Sequence, residues 1–402
     1  MSSSTHRSRS EALRNSRVPV IVIEGRNVVS EETAKPLKFR MQLIADERYE
    51  SAYAFDVNND GTLDIVSGAY WYEGPDFVKK HPVGEVKAFD EYYDDFSTIP
   101  LDVNGDGRPD FVTGGWWGNS LRWRENPGDS DKAWPEHVIA ETGSIETTRA
   151  WDVDRDGQLE IVPNTPGGPL VIYKMVTDSA GKGTGTFKAH KIFDRHQGHG
   201  LGFGDISGKR RGDFVMSGGW LEAPEAPYAG AWTWHPEFNL GSASIPILVA
   251  DVNGDGVNDL IVGQAHNYGL SWWEQRRRAD GSRQWLEHPI DPFNSQYHDM
   301  HWVDIDCDGR PELVTGKRYR AHNDNDPGSF DDYGIYYFKW NGESFTKNPI
   351  IFGKIRETKG LGIFSQVVDL NGDGRLDILA PGKDGLAILW NVREIDRTPK
   401  KN

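Results

Sequence analysis

The sequence has a single cysteine, no long apolar run and no sustained helical periodicity. Cys307 has no partner for an intrachain disulfide, and we interpret it as a tolerated small residue rather than a redox or catalytic group. No stretch reaches the roughly 18 apolar residues of a membrane-spanning helix. The basic, Ser-rich start leads only into VPVIVI, which is too short for the apolar part of a secretion signal. We therefore expect a protein without membrane partners that is either cytoplasmic or exported with its signal missing.

A basic stripe is also missing. The chain has 45 Lys and Arg against 61 Asp and Glu, giving a net charge of −16, and its acidic residues concentrate in repeated loops. A clustered basic face is the usual footprint of nucleic-acid binding, so we expect no nucleic-acid partner. The acidity instead indicates a supply of metal ligands.

The repeated loops follow the pattern Asp-x-Asn/Asp-x-Asp-Gly-x-x-Asp/Glu. Complete copies begin at Asp56, Asp102, Asp152, Asp251, Asp304 and Asp369. A degenerate copy begins at Asp205, where Ser207 and Lys209 replace the third and fifth residues. A period of about 50 residues indicates stacked or radial supersecondary units.

Four short segments accompany each loop. An apolar segment precedes it, a β-branched segment ending in Gly follows it, and an aromatic segment and a segment with His and Ile come next. Four strands of about 5 residues, joined by turns, are typical of a propeller blade. The sequence therefore predicts an all-β, seven-bladed β-propeller of four-stranded blades over residues 37–393. Its ring is closed by an N-terminal strand near residues 38–45, which leaves residues 1–36 as a disordered extension and 394–402 as a tail.

The loops have the ligand pattern of a site for a hard cation. Oxygen ligands at positions 1, 3, 5 and 9, a backbone carbonyl at position 7 and Gly at position 6 match most of an EF-hand loop, and such flexible loops favour Ca²⁺ over Mg²⁺. We predict up to six structural Ca²⁺ ions and no organic cofactor. The predicted ligands are Asp56, Asn58, Asp60 and Asp64; Asp102, Asn104, Asp106 and Asp110; Asp152, Asp154, Asp156 and Glu160; Asp251, Asn253, Asp255 and Asp259; Asp304, Asp306, Asp308 and Glu312; and Asp369, Asn371, Asp373 and Asp377.

The degenerate loop is predicted to bind no ion. Lys209 replaces the ligand at its fifth position, and its ammonium is expected to pair with Asp205 or Asp213. Because six ions repeated around a ring suit a scaffold better than a reaction centre, we predict a structural role for the metal.

These loops, with their Ile-Val-Thr-Gly exits, resemble FG-GAP/VCBS repeats, the units of integrin-like β-propellers. The resemblance covers residues 37–393 and implies a propeller with calcium loops, whereas propellers of this kind serve adhesion, sugar binding and catalysis alike. A shorter likeness, in LRWRENPG and QYHDMHWVDIDCDGRPELVTGKRYRAH, is similar to the propeller domain of aldos-2-ulose dehydratase-type enzymes. It supplies no catalytic residue.

Polar residues that do not repeat concentrate in the connections expected on the face opposite the loops. His199 and His298 both lie six residues before the first Asp of their loops, and Arg149 and His301 lie three residues before theirs. The predicted catalytic residues are His199, His298, His301, Lys317 and Arg318. The predicted substrate contacts are Arg149, Trp116, Trp117, Trp220, Glu222, His266, Tyr268, Tyr319 and His322. The fourth-strand histidines His137, His190 and His288 recur with the repeat and are predicted to be structural.

Two functional hypotheses follow from this face. In the first, the protein is a carbon–oxygen lyase, a sugar dehydratase or polysaccharide lyase. His199 or His298 removes a proton beside a carbonyl or carboxylate, Lys317 and Arg318 stabilise the developing charge, and another His or Tyr protonates the leaving oxygen. In the alternative, the same face is a non-catalytic docking surface for a carbohydrate or a protein. Clustering of cations and imidazoles favours the enzyme, but no residue pattern identifies the reaction.

Overall fold

The computed structural model describes residues 37–195, 197–355 and 357–392, and these residues form an all-β fold. Strands that follow one another in the chain make six four-stranded antiparallel sheets, and a seventh joins the first strand of the described residues to the last three. The predicted seven-bladed β-propeller is therefore confirmed. The extension predicted over residues 1–36 and the tail predicted over 394–402 lie outside the described residues. Within the described part of the chain, no helix has the length and apolar character needed to cross a membrane.

The strands occur in chain order as follows. Strand β1 (Phe39–Ala45) precedes blade one, which has β2 (Tyr53–Phe55), β3 (Asp64–Ser67), β4 (Tyr70–Tyr72) and β5 (Lys80–Pro82). A small hairpin follows, with β6 (Ala88–Phe89) and β7 (Tyr92–Tyr93). Blade two has β8 (Ile99–Leu101), β9 (Asp110–Gly114), β10 (Ser120–Arg124) and β11 (Glu136–Glu141). Blade three has β12 (Thr147–Trp151), β13 (Glu160–Asn164), β14 (Leu170–Thr177) and β15 (Gly183–Phe193).

The remaining blades repeat this arrangement. Blade four has β16 (Leu201–Gly204), β17 (Asp213–Met216), β18 (Gly219–Glu222) and β19 (Thr233–His235). Blade five has β20 (Leu248–Ala250), β21 (Asp259–Gly263), β22 (Leu270–Arg277) and β23 (Arg283–Pro289). Blade six has β24 (Tyr297–Val303), β25 (Glu312–Lys317), a 3₁₀ turn (Ala321–Asp324), β26 (Tyr333–Trp340) and β27 (Phe345–Gly353). Blade seven has β28 (Gln366–Val368), β29 (Asp377–Ala380) and β30 (Leu386–Asn391).

Strand β1 closes the ring as the outermost strand of blade seven. It runs antiparallel to β30, with Phe39 opposite Asn391 and Leu43 opposite Ala387. The indole N–H of Trp390 donates to the side-chain oxygen of Gln42 over 2.9 Å. The predicted closure by an N-terminal strand is confirmed.

The first strand of each blade lies nearest the propeller axis. First strands of neighbouring blades contact one another, as β16 with β20 and β24 with β28. Parallel bridges join Gly202 to Ile247 and Ser51 to Phe364 across such neighbours. Since the repeated loops follow the first strands, the ends where these strands begin lie on the opposite face.

Outer strands are fastened by a repeated contact among Trp, His and Glu. The His137 ring stacks on Trp123 with centroids 4.4 Å apart, and its Nε2 lies 2.8 Å from the Glu125 carboxylate. Equivalent contacts hold His81, His235 and His288. His190 stacks on Tyr228 instead, at 4.1 Å. These contacts give the recurring histidines a structural role.

Candidate functional site

The repeated loops join the first and second strands of their blades and hold their shape through Asx turns. The Asp56 carboxylate accepts the backbone N–H groups of Asp60 (3.0 Å) and Gly61 (2.8 Å). Gly61 has φ +87°, a left-handed conformation that glycine adopts at little cost. Asn58 Oδ1 also accepts the Asp60 N–H, over 3.0 Å.

The ninth residue of each loop is a buried clamp at the start of the second strand. Asp110 accepts the backbone N–H groups of Val103 and Asn126, at 2.9 and 2.8 Å. Burial raises the pKa of Asp110 to about 7, because the charged form loses its hydration. This residue therefore fastens the loop to the end of the third strand, a role that the sequence prediction of a metal ligand did not include.

Two loops have a lysine among their predicted ligands. Lys174 Nζ lies 2.6 Å from the Asp154 and Asp156 carboxylates and 2.9 Å from that of Glu160. Lys339 has the equivalent contacts with Asp306, Asp308 and Glu312. These are the two complete loops with Asp instead of Asn at the third position. The ammonium offsets the additional carboxylate.

The third-strand position that Lys174 and Lys339 occupy in their blades is held by Glu in four other blades. These residues are Glu73, Glu125, Glu222 and Glu274, and each contacts the fourth-strand histidine of its blade. In blade four, Glu222 also pairs with Lys209 of the degenerate loop. Lys209 was predicted to pair with Asp205 or Asp213, and this prediction is wrong because the ammonium reaches the third strand instead.

The donor set of the loops fits a hard cation, since all predicted ligands are oxygens. In the second loop, the buried Oδ1 of Asp102 has no hydrogen-bond partner among the described residues. A cation bound there would supply that partner. The second loop therefore retains the predicted fit, and the loops that begin at Asp56, Asp251 and Asp369 share its residue pattern, with Asn at the third position.

On the opposite face, four side chains from blades three to six converge beside the axis; we call them the axial cluster. They are Glu146, His199, His266 and His298. Glu146 Oε1 lies 3.2 Å from Nε2 of both His199 and His298 and 4.0 Å from Nε2 of His266. The Nε2 atoms of His199 and His266 are 3.0 Å apart. Their side chains are 15% and 12% exposed, so one side of the cluster is open to solvent, while His298 is fully buried.

The blade repeat explains why these residues meet. Glu146, His199 and His298 each lie six residues before the first loop Asp of their blade, and Glu50 has the same place in blade one. That place lies at the axial start of the first strand, so equivalent residues of different blades face one another. Sequence reasoning identified His199, His266 and His298 and missed Glu146 and Glu50, although the same offset identifies both.

Outer contacts fix the orientation of two imidazoles. His199 Nδ1 donates to the Ala243 carbonyl over 2.7 Å, and His266 Nδ1 lies 2.9 Å from Asp326 Oδ2. Asp326 also contacts His322 Nδ1 at 2.7 Å, and the His322 ring stacks on His266 at 4.2 Å. Burial would raise the pKa of Asp326, but the bonds from His266 and His322 lower it overall. Since a carbonyl and an ionised carboxylate only accept, both Nδ1 atoms are protonated.

Lys317 and Arg318 are buried and bonded to other protein groups. The Arg318 guanidinium binds the Glu50 carboxylate through two hydrogen bonds of 2.7 and 2.9 Å. Lys317 donates to the backbone oxygens of Gly328 and Asp331, and burial lowers its pKa to about 8. The role of these cations in stabilising charge on a substrate stays a prediction; in the geometry observed, both cations are bonded to groups of the protein. Arg318 neutralises Glu50 next to the axial cluster.

Arg149 and His301 meet around the buried Asp299. Arg149 lies 2.6 Å from Asp299 Oδ1, and His301 Nε2 lies 3.5 Å from Oδ2 and 2.9 Å from the Ser365 hydroxyl. Burial opposes ionisation of Asp299, but Arg149 and His301 lower its pKa overall. Arg149 and His301 have the same place relative to the loops of their blades, and in the structure both belong to one polar group. This group joins blades three, six and seven.

The predicted aromatic and acidic contacts do not form one surface. Trp220 and Glu222 belong to β18: the Trp220 ring is fully buried against His235, and Glu222 points toward the loop face. Their predicted place in the connection between the second and third strands of blade four is wrong, because that connection contains only residues 217–218. Trp117 packs against Phe89 and Tyr92.

Three other predicted aromatic contacts have different degrees of exposure. Trp116 is 37% exposed and Tyr268 is 40% exposed, with the Tyr268 hydroxyl 2.6 Å from Asp331 Oδ2. Tyr319 meets the Tyr333 ring edge to face at 5.2 Å. Trp116 and Tyr268 therefore keep ring surface that a ligand could reach.

Comparison with known proteins identifies the repeat. The FG-GAP-like repeat family matches residues 102–162 and 230–315. A search of curated protein sequences gave no significant match. Similar solved structures include an Agrocybe aegerita lectin that recognises non-reducing terminal N-acetylglucosamine, with 16% identity, a TM-score of 0.45 and coverage of 88% of this chain and 92% of that chain. Another is BBS1N in complex with ARL6DN, with 11% identity, a TM-score of 0.49 and coverage of 90% and 98%. A likeness at these values supports no conclusion about this chain.

Proposed function

We propose that the axial cluster acts on a carbohydrate. The chain that carries this cluster is a seven-bladed β-propeller with FG-GAP-like repeats. The proposed reaction is an elimination or dehydration, in which a proton is removed beside a carbonyl or carboxylate and an oxygen leaving group departs. The protein would then be a sugar dehydratase or polysaccharide lyase. The repeated loops on the other face would serve as the scaffold.

The convergence of three imidazoles and one carboxylate supports this proposal. The Nδ1 protons of His199 and His266 are held by Ala243 and Asp326, so in the neutral imidazoles the Nε2 atoms are the acceptors. An imidazole oriented in this way by a carboxylate or carbonyl is suited to general-base chemistry. His199 is a better candidate than the fully buried His298, whose pKa is lowered to about 3 by burial. We place proton abstraction at the point where these acceptors meet.

Side chains around the cluster offer contacts for a sugar. His322 is exposed and stacks on His266, and the exposed ring of Tyr268 follows His266 by two residues. Aromatic faces suit the C–H surface of sugar rings, and polar tips suit their hydroxyl groups. Trp116 offers a further exposed ring.

We also propose that calcium stabilises the four loops with Asn at the third position. The all-oxygen donor set and the unpartnered Oδ1 of Asp102 support this assignment. In blades three and six, the ammonium groups of Lys174 and Lys339 would take the place of the ion. Chelation of calcium should therefore lower the melting temperature, and an unchanged melting temperature would contradict the proposal.

An activity screen tests the proposed reaction. Purified protein is incubated with uronate polymers and keto-sugars while the absorbance of an unsaturated product is followed. The variants His199→Ala and Asp326→Asn should lose turnover without a change in melting temperature. His137→Ala is the matched control, because His137 contacts Glu125 on an outer strand, and it should retain activity.

The alternative function is a docking surface without turnover. Phe293 and Phe330 are highly exposed near the long connection of blade six, which favours a protein ligand for that side of the ring. Carbohydrate binding that produces no unsaturated product, or activity that survives His199→Ala, would overturn the enzyme proposal.

A further inference from the structure

We propose that Glu146, His199, His266 and His298 bind one divalent transition-metal ion, with Zn²⁺ as the reference ion. This site is distinct from the calcium loops in position and in ligand type. The catalytic meaning of the ion rests on the proposed function, whereas its binding does not.

The first argument is the number of lone pairs that meet at one point. His199 and His266 both use Nδ1 as a donor, to the Ala243 carbonyl and to Asp326. In the neutral imidazoles Nε2 then carries a lone pair, and the two Nε2 atoms lie only 3.0 Å apart. Glu146 Oε1 is 3.2 Å from Nε2 of His199. Two neutral acceptors at this distance repel each other unless a cation lies between them. A proton or a metal ion can fill that place.

The second argument is the identity of the outer contacts. Histidines that ligate a metal usually donate their other N–H to a carboxylate or a backbone carbonyl, which fixes the ring. His266 has the carboxylate Asp326, and His199 has the carbonyl of Ala243. The structural histidines of the outer strands differ. The His137 Nε2, for example, faces the single carboxylate of Glu125 and meets no second imidazole there.

The separations between the acceptor atoms fit a common ion. Two ligands about 2.1 Å from one ion are roughly 3.0 Å apart at a right angle and roughly 3.4 Å apart at a tetrahedral angle. The observed separations of 3.0, 3.2 and 3.2 Å fall in this range. The 4.0 Å between His266 Nε2 and Glu146 Oε1 corresponds to a wider angle.

The donor types select the class of metal. Three imidazoles and one carboxylate suit zinc, iron or nickel, whereas calcium and magnesium prefer oxygen ligands alone. The partly exposed sides of His199 and His266 leave room for a water ligand. A water bound to such an ion loses its proton near pH 7, with a pKa of about 7 for zinc. With the ion bound, His199 Nε2 would be a ligand, and the metal-bound hydroxide would take over from His199 the removal of the proton.

Metal titration tests the site directly. The full chain is stripped with a chelator, saturated with Ca²⁺ to occupy the loops, and titrated with Zn²⁺ by calorimetry. We expect one tight Zn²⁺ site per chain in the wild type and in His137→Ala. It should be absent in His199→Ala and His266→Ala, and roughly 10- to 100-fold weaker in Asp326→Asn. Far-UV circular dichroism verifies that each variant is folded.

A second readout protects the test against misfolded variants. Wild-type protein loaded with Co²⁺ should show visible absorption bands of an imidazole-ligated ion, and Zn²⁺ should displace them. Absence of a Zn²⁺ site in the calcium-saturated wild type, or an unchanged site in folded His199→Ala, would overturn the proposal. Zinc binding without sugar turnover would support the metal site and count against the proposed function. Turnover by metal-free protein would overturn the role given to the ion.

Discussion

Arg318 and Glu50 form a buried ion pair whose two halves should be costly to remove one at a time and inexpensive to remove together. Both side chains are almost fully buried, and two hydrogen bonds of 2.7 and 2.9 Å join them. Arg318→Met leaves an unpaired carboxylate inside the ring, which should lower the free energy of unfolding by about 3–5 kcal/mol. Glu50→Leu leaves an unpaired guanidinium and should cost a similar amount. The double variant Arg318→Met/Glu50→Leu removes both charges and should be less destabilised than either single variant.

Urea unfolding followed by tryptophan fluorescence measures these differences as a double-mutant cycle. Lys79→Met is the control, since Lys79 is an exposed partner of Glu73 and its loss should not shift the midpoint. If the double variant loses as much as the two single variants combined, the pair does not act as a unit and the reasoning is refuted.

The pH dependence of the same cycle has a defined sign. Burial opposes ionisation of Glu50, but Arg318 lowers the Glu50 pKa overall, so the pair stabilises the fold above the unfolded pKa and loses this effect in acid. In Arg318→Met, burial without the cation should raise the Glu50 pKa above its unfolded value. The stability gap between wild type and Arg318→Met should therefore narrow as the pH falls from 8 to 5. A gap that does not change over this range would contradict the assignment.

Two further predictions concern the loop face and the outer strands. Lys174→Met and Lys339→Met should each add one bound Ca²⁺ per chain to the four ions expected in the wild type. Equilibrium dialysis measures this number. Six ions bound to the wild type would show that lysine does not replace the ion. His81→Ala should lower the free energy of unfolding by about 1–3 kcal/mol, because it removes a buried ring that stacks on Trp71 and contacts Glu73. The His137 side chain makes the same kinds of contact but is 43% exposed, whereas that of His81 is 4% exposed. Denaturant unfolding should therefore show a smaller loss of unfolding free energy for His137→Ala than for His81→Ala.

The fold could be predicted from the sequence because the loop and its flanking strands recur in every blade. The axial position could be predicted as well, since an offset of six residues places His199 and His298 at equivalent points of different blades. The same offset was not applied to Glu146, because a single Glu in an acidic chain carries little signal. The sequence repeat predicts where a residue lies within its own blade, but it does not predict which side chains of different blades are in contact.

Other features depend on contacts that a sequence pattern does not encode. The pairing of His266 with Asp326 joins two connections 60 residues apart. Trp220 was assigned to a connection because two glycines precede it, whereas Gly219 begins the strand with φ +149°. A Cβ at Gly219 would lie 2.2 Å from the His235 carbonyl, so glycine is required by the neighbouring strand and does not mark a loop.

Closure of the ring by β1 has a consequence for synthesis of the chain. Blades one to six take all their strands from contiguous sequence, and each can form as soon as its segment leaves the ribosome. Blade seven cannot, because its outermost strand is made first and its other three strands are made last. Until then, β1 presents unpaired backbone groups and the apolar side chains of Ile44 and Ala45, which pack into a core cluster of the closed ring. A strand without a neighbour is the kind of edge that other chains can join. The interval before β30 arrives is thus the period of greatest exposure to aggregation, and the pairing of β1 with β30 ends it.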